Sequence, residues 1–309
     1  MNNWFQTDVC LDFYRSLGFV ETFCCEVRRG DALKGRIAGY IQKDGGRVKG
    51  FLSRRAVVNG GPMLAADITG SEIAELLSLC RRTLKGKAIY VEFRNFEDYS
   101  AYRRLFEQNG FAYLPHYNFH VDTASADTVE RNLGKSRKRD IRTSLRDGAS
   151  VGPAQNLVEV RQLYGILERL YRTRVKTPLF PLSFFERLYA APFGRFLLVR
   201  YNGKVIGGTV CVAGDGVMYE WFACGEDGVY KNIYPSTLAT YAGIQEAVAC
   251  RCRRFDMMGA GAPGDGGYGV RDFKAKFGGE LVEHGRFRCV LDRPLFAIGN
   301  IGVKILKKL

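Results

Sequence analysis

Alternating and periodic apolar positions predict a mixed α/β fold in the first half of the chain. Strand-like alternation predicts strands over 35–42, 48–53, 88–94 and 111–121. Apolar residues at helical spacing predict helices over 71–84 and 97–108. Because helices alternate with strands, this half is expected to form one α/β unit.

The second half of the chain repeats this order of elements. The pattern predicts strands over 196–201, 204–212, 217–223, 255–258 and 286–290, and helices over 236–250 and 270–277. Asn202-Gly203 and Gly214-Asp215-Gly216 are hairpin turn sequences between the first three of these strands. In both halves a helix precedes a strand and an amphipathic helix ending in glycine follows it. This echo favours tandem copies of one α/β unit.

A basic stretch between the halves marks the junction. Residues 125–146 are predicted to be helical, with breaks at Gly148 and Gly152-Pro153. We therefore predict an N-terminal domain over 1–124, a basic helical junction over 125–152 and a C-terminal domain over 153–309. The last segment, 293–309, is apolar with three late lysines. It is expected to dock on its own domain, and the alternative is a position on an anionic membrane surface.

Composition limits the class of protein. With 309 residues, 46% hydrophobic and 13% aromatic, the chain can bury ample core, which excludes wholesale disorder. No run approaches the roughly 20 apolar residues of a membrane span, and the N-terminus lacks the pattern of a signal peptide. We therefore expect a cytoplasmic protein, with a peripheral membrane contact left open.

Nine cysteines and three histidines are poorly arranged for a metal. The sequence has no Cys-x-x-Cys pair, and the cysteine count is odd. Reduced, mostly buried thiols are expected, without a metal or a tightly bound cofactor.

The net charge of +14 indicates attraction to polyanions. Cations are most concentrated in 135–146, which holds six of them against one acid. The candidate contacts on this predicted helix are Lys135, Arg139, Arg142 and Arg146. Their partner could be a nucleotide-sugar diphosphate, a lipid diphosphate or a tRNA backbone. The alternative is a solvated face that packs against acids of the other domain.

The segment 269–279 carries the most specific pattern of the chain. Val270, Phe273 and Phe277 fall on one helical face, and Gly278-Gly279 stops the helix. Lys274 lies one step around from this stripe, so a cation is held beside an aromatic side chain at the edge of the core. From spacing alone, an ordinary surface lysine is the competing interpretation.

This segment resembles the C-terminal signature of the Fem family, aminoacyltransferases that build peptidoglycan cross-bridges and are related to GNAT acyltransferases. The matching residues are Phe255, Asp256, Gly259, Gly269, Val270, Phe273, Lys274, Phe277, Gly278 and Gly279. A second match comprises Asn132, Leu133, Lys135, Arg139, Ile141, Arg142 and Gly148, and a third comprises Asn232, Pro235 and Leu238. The resemblance implies two tandem GNAT-like domains, each a mixed, largely antiparallel sheet flanked by helices.

The resemblance also implies roles for individual residues. Lys274 would lie near the point of acyl transfer, with Phe273 as the wall of the pocket. Asp256, at the end of a strand, would orient the incoming amine or else cap the following loop. Glu220 is a carboxylate within an aromatic strand, and its pKa should rise towards that of a usable base if it faces the cleft.

The helix that starts near residue 235 is the candidate phosphate site for an activated acyl donor. Ser236 can cap this helix beside Thr237, and Lys231 and Asn232 come just before it. The glycine-rich coenzyme A loop typical of GNAT enzymes is missing at this point, which favours aminoacyl-tRNA over acyl-CoA as donor.

Three functions remain open at the level of sequence. The first is a Fem/GNAT-type transferase that moves an aminoacyl or acyl group to an amine of a cell-wall precursor or surface glycan. The second is an acyl-CoA-dependent N-acyltransferase in polysaccharide synthesis. The third is a non-catalytic binder of polyanions or membrane surfaces on a degenerate GNAT scaffold.

Overall fold

The chain folds into two α/β units, each built around a seven-stranded sheet within the described residues. The computed structural model describes residues 3–175, 177–264 and 269–306. Unit 1 is Met1–His116 with Glu283–Leu309, and unit 2 is Tyr117–Val282. These limits differ from the predicted domains 1–124, 125–152 and 153–309. The basic junction belongs to unit 2, and the end of the chain returns to unit 1.

Unit 1 contains a seven-stranded mixed sheet within the described residues. Its strands are β1 (Glu21–Arg29), β2 (Ala32–Gln42), β3 (Arg55–Gly60), β4 (Met63–Leu64), β5 (Tyr90–Asn95), β6 (Ala112–Leu114) and β14 (Arg286–Val290). The order is β1-β2-β3-β5-β14-β6, with β4 beside β2. Only β3 and β5 pair in parallel; the other pairings in this sheet are antiparallel.

Helices flank the sheet of unit 1. They are α1 (Asp8–Ser16), α2 (Arg47–Leu52), α3 (Gly70–Leu84), α4 (Arg103–Gln108) and α11 (Arg293–Leu306). A capping box between Thr69 and Glu72 starts α3, so its first backbone N–H groups are satisfied. The apolar stripe of α3, which includes Leu76 and Leu77, is buried in the main core of the unit.

Unit 2 contains a second mixed sheet of seven strands, again counting described residues. Its strands are β7 (Tyr117–Asp122), β8 (Ser150–Pro153), β9 (Gly194–Tyr201), β10 (Lys204–Gly214), β11 (Val217–Gly225), β12 (Arg254–Asp256) and β13 (Glu280–Glu283), in the order β13-β7-β12-β11-β10-β9-β8. The helices are α5 (Ala126–Asn132), α6 (Lys135–Arg146), α7 (Leu157–Leu170), α8 (Leu182–Ala190), α9 (Pro235–Ala249) and α10 (Gly269–Ala275).

The two predicted hairpin turns of unit 2 are confirmed. Asn202 and Gly203 have φ values of 48° and 73°, and Asp215 and Gly216 have 53° and 73°. Left-handed backbone at two successive residues matches the right-handed twist of the flanking strands. The hairpins join β9, β10 and β11 into one antiparallel block.

Two strand predictions in unit 1 were wrong. Residues 48–53 fall mainly in helix α2, because a short apolar run does not distinguish helix from strand. The predicted strand over 111–121 is two strands, β6 and β7, which belong to different sheets. Pro115 lies between them and has no N–H to donate to a sheet, which explains the break.

The predicted strand 286–290 exists as β14, but it pairs with β5 and β6 of unit 1. The apolar C-terminal segment follows it as α11, where the Phe296 ring packs edge-on against Tyr90 at 5.5 Å. The segment was expected to dock on the predicted C-terminal domain, 153–309, and this is wrong for its start, because Tyr90 belongs to β5 of unit 1. The side chains after residue 299, including the three late lysines, lie outside the described residues.

Candidate active site

A gap opens in the sheet of unit 2 where β11 and β12 stop pairing. The two strands are parallel partners only from Val217–Tyr219 on β11 to Arg254–Asp256 on β12. Strand β11 continues to Gly225, whereas β12 ends at Asp256. Glu220 of β11 and Met257, which follows β12, therefore lie just beyond the last pair, where these two strands are no longer paired with each other.

A β-bulge sits at the same point of β11. The register shifts so that Val210 of β10 faces Phe222 and the next residue, Cys211, faces Glu220. The extra residue is Trp221, and a bulge of this kind leaves backbone groups without a ladder partner. The buried Thr209 hydroxyl donates to the Phe222 carbonyl at 3.0 Å and satisfies one of them.

The Glu220 carboxylate is almost fully buried behind this bulge. Its Oε1 accepts a hydrogen bond from the Thr240 hydroxyl of α9 at 2.8 Å. Burial raises the pKa of Glu220 above its ordinary value, although the nearby Lys274 ammonium opposes that rise. Glu220 and Lys274 therefore influence each other's charge state electrostatically.

Lys274 turns inward from α10 to the end of β12. Its Nζ donates to the carbonyl of Met257 and, at 2.8 Å, to the carbonyl of Gly259. Burial lowers the pKa of Lys274, while Glu220 and Asp256 pull it back up. Lys274 is therefore not an ordinary surface lysine. Val270, predicted to share the buried face, is 45% exposed, and only Phe277 of that stripe is fully buried.

Asp256 has no exposed surface, and β7 supplies polar partners for its carboxylate. It accepts from the Asn118 amide at 2.7 Å and from the Met258 backbone N–H at 2.8 Å. The His120 Nε2 lies 3.1 Å from its other oxygen. Burial alone would raise the pKa of Asp256, but the His120 and Asn118 contacts bring it below its ordinary value. Of the two roles predicted for Asp256, the hydrogen bond from the Met258 N–H agrees with capping of the following loop, and the buried carboxylate has no exposed surface for a substrate amine.

Asn118 and His120 were missed by the sequence interpretation. They alternate with the core residues Phe119 and Val121 along β7, a period-two pattern that places both polar side chains on one face. We call the group Glu220, Asp256, Lys274, Asn118 and His120 the lysine cluster. The predicted residues Glu220, Asp256 and Lys274 are thus brought together, with two further polar residues from β7.

Phe273 is one of two aromatic rings that pack against a buried arginine. The Arg137 guanidinium lies over the Phe273 ring at 4.4 Å and over Phe277 at 5.2 Å. Its Nη1 also donates to Asp140 at 3.3 Å. Burial lowers the pKa of Arg137. The sequence interpretation passed over Arg137 because it weighed the cations of α6 as an exposed face, and this one points inward.

Gly278, just after α10, makes a close backbone contact with Asn132, the last residue of α5. Its φ is +78°, and a Cβ built there would lie 2.1 Å from the Asn132 carbonyl oxygen. Gly134 makes a second close contact: a Cβ built there would lie 2.9 Å from the Lys276 carbonyl oxygen, to which the Gly134 N–H donates at 3.0 Å. The predicted stop of the helix at Gly278 is therefore also a close backbone contact that fixes the position of α10.

The four predicted donor-binding residues do not form a phosphate cradle. Ser236 does not cap α9; instead its backbone N–H donates to the Asp227 carboxylate at 3.1 Å. Thr237 is 3% exposed and cannot reach a ligand from the surface. Asn232 donates to Asp147 at 3.2 Å, and Lys231 is exposed. An acidic side chain already occupies the helix start where a phosphate was expected.

The predicted polyanion contacts lie on the outer face of α6. Arg139, Arg142 and Arg146 have side chains 72%, 76% and 73% exposed, and Lys135 is exposed as well. Each arginine pairs with an acid of unit 2: Asp140, Glu130 and Asp147 respectively. We call these four cations the basic face. On the inner face of α6, the Ser144 hydroxyl accepts a hydrogen bond from the backbone N–H of Tyr234, the residue before α9, at 3.0 Å.

A cavity of about 410 Å³ lies between α7, the β9–β10 turn and the loop after β11, and no residue of the lysine cluster lines it.

Across the described residues, no group of three His, Cys, Asp or Glu side chains is placed to hold a metal ion. In the same part of the chain, no helix has the length and apolar character needed to cross a membrane.

Comparison with known proteins supports the fold. The sequence model described as an Acetyltransferase (GNAT) domain matches residues 135–275, which include the lysine cluster apart from Asn118 and His120. No curated protein sequence matches the chain. Among solved structures, FemX has a TM-score of 0.72 at 12% identity, covering 96% of this chain and 94% of that one.

Two further structures share the architecture. The C-terminal domain of a protein described as a lysylphosphatidylglycerol synthetase from Agrobacterium fabrum has a TM-score of 0.61 at 12% identity, covering 97% and 92% of the two chains. A tandem GNAT protein from the clavulanic acid pathway has 0.54 at 13%, covering 91% and 88%. The predicted fold class is confirmed: the chain has two α/β units with mixed sheets flanked by helices, the fold it shares with FemX and the tandem GNAT protein, and the sequence of residues 135–275 is similar to a GNAT acetyltransferase domain.

Proposed function

We propose that this protein is an N-acyltransferase whose acyl-transfer centre is the lysine cluster. One observation carries the proposal: Lys274 is enclosed at the unpaired ends of β11 and β12, between two carboxylates and two backbone carbonyls. Ionisable groups with perturbed pKa values cluster at functional sites. The matched GNAT domain and the FemX-like fold support the same reaction class.

The reaction would proceed by addition and elimination. The amine nitrogen attacks the donor's acyl carbon, and the carbonyl oxygen takes up the electron pair and becomes an oxyanion. Collapse of this intermediate forms the amide and breaks the bond to the donor oxygen or sulfur. That leaving atom takes the proton which the amine gives up.

Lys274 is the group suited to the oxyanion. A lysine ammonium has three N–H donors, and the carbonyls of Met257 and Gly259 account for two of them. The third would donate to the developing negative oxygen. Donors of this kind contribute most where water is excluded, because they need no reorganisation as the charge forms.

We predict that Glu220→Gln shifts the basic limb of the pH–rate profile to lower pH. Burial lowers the pKa of Lys274, and the Glu220 charge opposes this, so removal of that charge lowers the pKa further. Transfer requires the ammonium and is then lost at a lower pH, with an expected shift of about one pH unit or less. The measurement is kcat/KM against pH, with Glu168→Gln as the matched change at an exposed carboxylate. An unmoved limb in Glu220→Gln would separate Glu220 from the Lys274 titration.

For the donor we propose aminoacyl-tRNA rather than acyl-CoA. The start of α9 already holds the Asp227 carboxylate, which would repel a pyrophosphate there. The basic face offers exposed cations to a nucleic-acid backbone instead. The acceptor would be an amine of a cell-wall precursor or surface glycan, in keeping with the likeness to FemX; a lipid headgroup is the competing acceptor, given the likeness to the synthetase from Agrobacterium fabrum.

We predict that the triple variant Arg139→Gln, Arg142→Gln, Arg146→Gln weakens tRNA binding and flattens its salt dependence. Each lost phosphate contact lowers the slope of log K against log salt by about 0.7–0.9. Folding should change little, because exposed ion pairs contribute only about 0–1 kcal/mol each. The control is Arg15→Gln, Arg28→Gln, Arg103→Gln, which removes the same charge from exposed sites of unit 1. Equal effects in both variants would remove the basic face from the binding site.

The proposal is tested by supplying the purified protein with charged tRNA, uncharged tRNA or acetyl-CoA, together with amine acceptors of the cell-wall precursor, glycan and aminolipid classes. Mass spectrometry of the acceptor shows whether an acyl group has been added. Product with charged tRNA alone supports the proposal, and product with acetyl-CoA selects the coenzyme A donor. Binding of tRNA irrespective of its charging, without product in any arm, would leave a polyanion binder.

A further inference from the structure

A cluster of arginines lies on the face of the unit 1 sheet that points away from its main core. Along β5, Val91 and Phe93 enter that core, so the alternating side chains of Glu92 and Arg94 point to the opposite face. Along β14, Phe287 and Cys289 enter the core, and Arg286 and Arg288 share the face of Glu92.

The strand register places two arginines directly opposite each other. Arg286 is the cross-strand partner of Arg94, and Arg288 is the partner of Glu92. Like charges at directly opposite positions destabilise a sheet. A pairing of this kind is a cost that apolar or neutral residues at the same positions would avoid.

The Glu92 carboxylate accepts hydrogen bonds from all three arginines. Glu92 accepts from Arg94 Nε at 3.2 Å, from Arg286 Nη1 at 3.0 Å and from Arg288 Nη2 at 2.5 Å. Burial would raise the pKa of Glu92, yet the three guanidinium groups bring it to about 2. The group therefore holds three positive charges against one negative charge.

Neighbouring groups on this face do not cancel the surplus. Arg55 is paired with Asp44 at 3.1 Å, so that pair is neutral. His116 Nε2 contacts Arg286 Nη2 at 2.9 Å and supplies no negative charge. Tyr90 lies beneath Arg288, with the guanidinium 5.2 Å from the ring centre, and burial raises the Tyr90 pKa, so its phenol stays neutral. The pKa of Arg286 is lowered by burial and by the charges of Arg94 and Arg288, as expected for an excess of cations.

The three arginines remain open to a ligand. The side chains of Arg94, Arg286 and Arg288 are 36%, 28% and 31% exposed, whereas that of Glu92 is 5% exposed. A guanidinium has five N–H donors in a rigid fork, and the contacts with Glu92 and His116 use only some of them. Rigid forks of this type match the oxygens of phosphate groups.

We propose that Arg94, Arg286 and Arg288, which we call the arginine triad, bind a phosphate-class oxyanion, in particular a diphosphate. Two further negative charges would neutralise the triad and relieve the repulsion between Arg94 and Arg286. The site lies in unit 1 and depends on no residue of the lysine cluster. It therefore stands or falls independently of the proposed transferase activity.

The test is calorimetric titration of inorganic diphosphate into the full chain, with inorganic phosphate as the weaker-binding comparison. Arg94→Gln is expected to bind diphosphate at least tenfold more weakly, with an unchanged or higher midpoint of thermal unfolding, because the like-charge pair is gone. Arg288→Gln is expected to weaken binding as well and serves if Arg94→Gln fails to fold. Arg15→Gln removes an equal charge from an exposed part of unit 1 and is expected to bind as the wild type does.

The proposal would be overturned if the wild type showed no saturable diphosphate binding, or if Arg15→Gln lost as much affinity as the triad variants. A drop in unfolding midpoint of Arg94→Gln with unchanged diphosphate affinity would also contradict it, since the arginines would then be structural only. Titration of a nucleoside diphosphate and of a short-chain prenyl diphosphate distinguishes the two sources of the group. Tighter binding of either one than of inorganic diphosphate supports the site and identifies the source.

Discussion

Lys274→Met is expected to reduce acyl transfer by about 10²–10³-fold while the protein still unfolds cooperatively. The methionine side chain has a similar length but cannot donate to the oxyanion, and loss of one such donor has an effect of this size. Removal of the ammonium also leaves Glu220 and Asp256 without the cation that faces them. The transfer rate and the thermal unfolding curve of the same sample are the two measurements.

Lys276→Met is the matched control for this variant. Lys276 follows Lys274 by two residues, and its side chain is exposed. Its backbone carbonyl accepts the Gly134 N–H, a contact that a change of side chain leaves in place. The control should retain nearly full activity, because it removes the same charge from the same segment without touching the enclosed site. Wild-type rates in Lys274→Met, or an equal loss in Lys276→Met, would exclude Lys274 from the chemistry.

Gly278→Ala is expected to destabilise unit 2 by roughly 3 kcal/mol and to reduce transfer with it. Its φ of +78° is unfavourable for alanine, and the added Cβ would lie 2.1 Å from the Asn132 carbonyl oxygen. The backbone must move to relieve this contact, and α10 carries Lys274 along with it. Chemical denaturation followed by circular dichroism gives the free energy of unfolding.

Gly165→Ala provides the comparison in the same unit. Gly165 is exposed within α7, and a Cβ there meets no described atom within 4 Å. Alanine favours a helix over glycine by about 1 kcal/mol, so this variant should be neutral or more stable. If both glycine variants had the same stability, the close contact at Gly278 would not be what fixes α10.

The fold was predictable where a local pattern determines the structure. The turns at Asn202-Gly203 and Asp215-Gly216 demand left-handed backbone, and the hairpins they join were predicted correctly. Pairing between distant parts of the chain left no such local signal. Nothing in 286–290 shows that this strand joins β5, about 190 residues earlier, rather than the sheet of unit 2.

The candidate site was predictable in part for the same reason. Lys274, Asp256 and Glu220 were selected by motif and residue type, and the structure brings all three together. Their partners His120 and Asn118 come from a strand that pairs with β12 only in the folded sheet. The expected phosphate cradle failed because Asp227, nine residues before Ser236, reaches the helix start. Spacing along the chain does not reveal such a contact.

Single-turnover transfer at saturating donor, compared between the wild type and Lys274→Met, separates a role of Lys274 in the chemical step from a role in donor binding. Lys274 is assigned to the oxyanion, which forms only during the reaction. We therefore expect a single-turnover rate lowered by about 10²–10³-fold at a nearly unchanged donor dissociation constant. A wild-type rate once the donor is saturating, with only weaker donor binding, would place Lys274 in substrate binding and exclude it from oxyanion stabilisation.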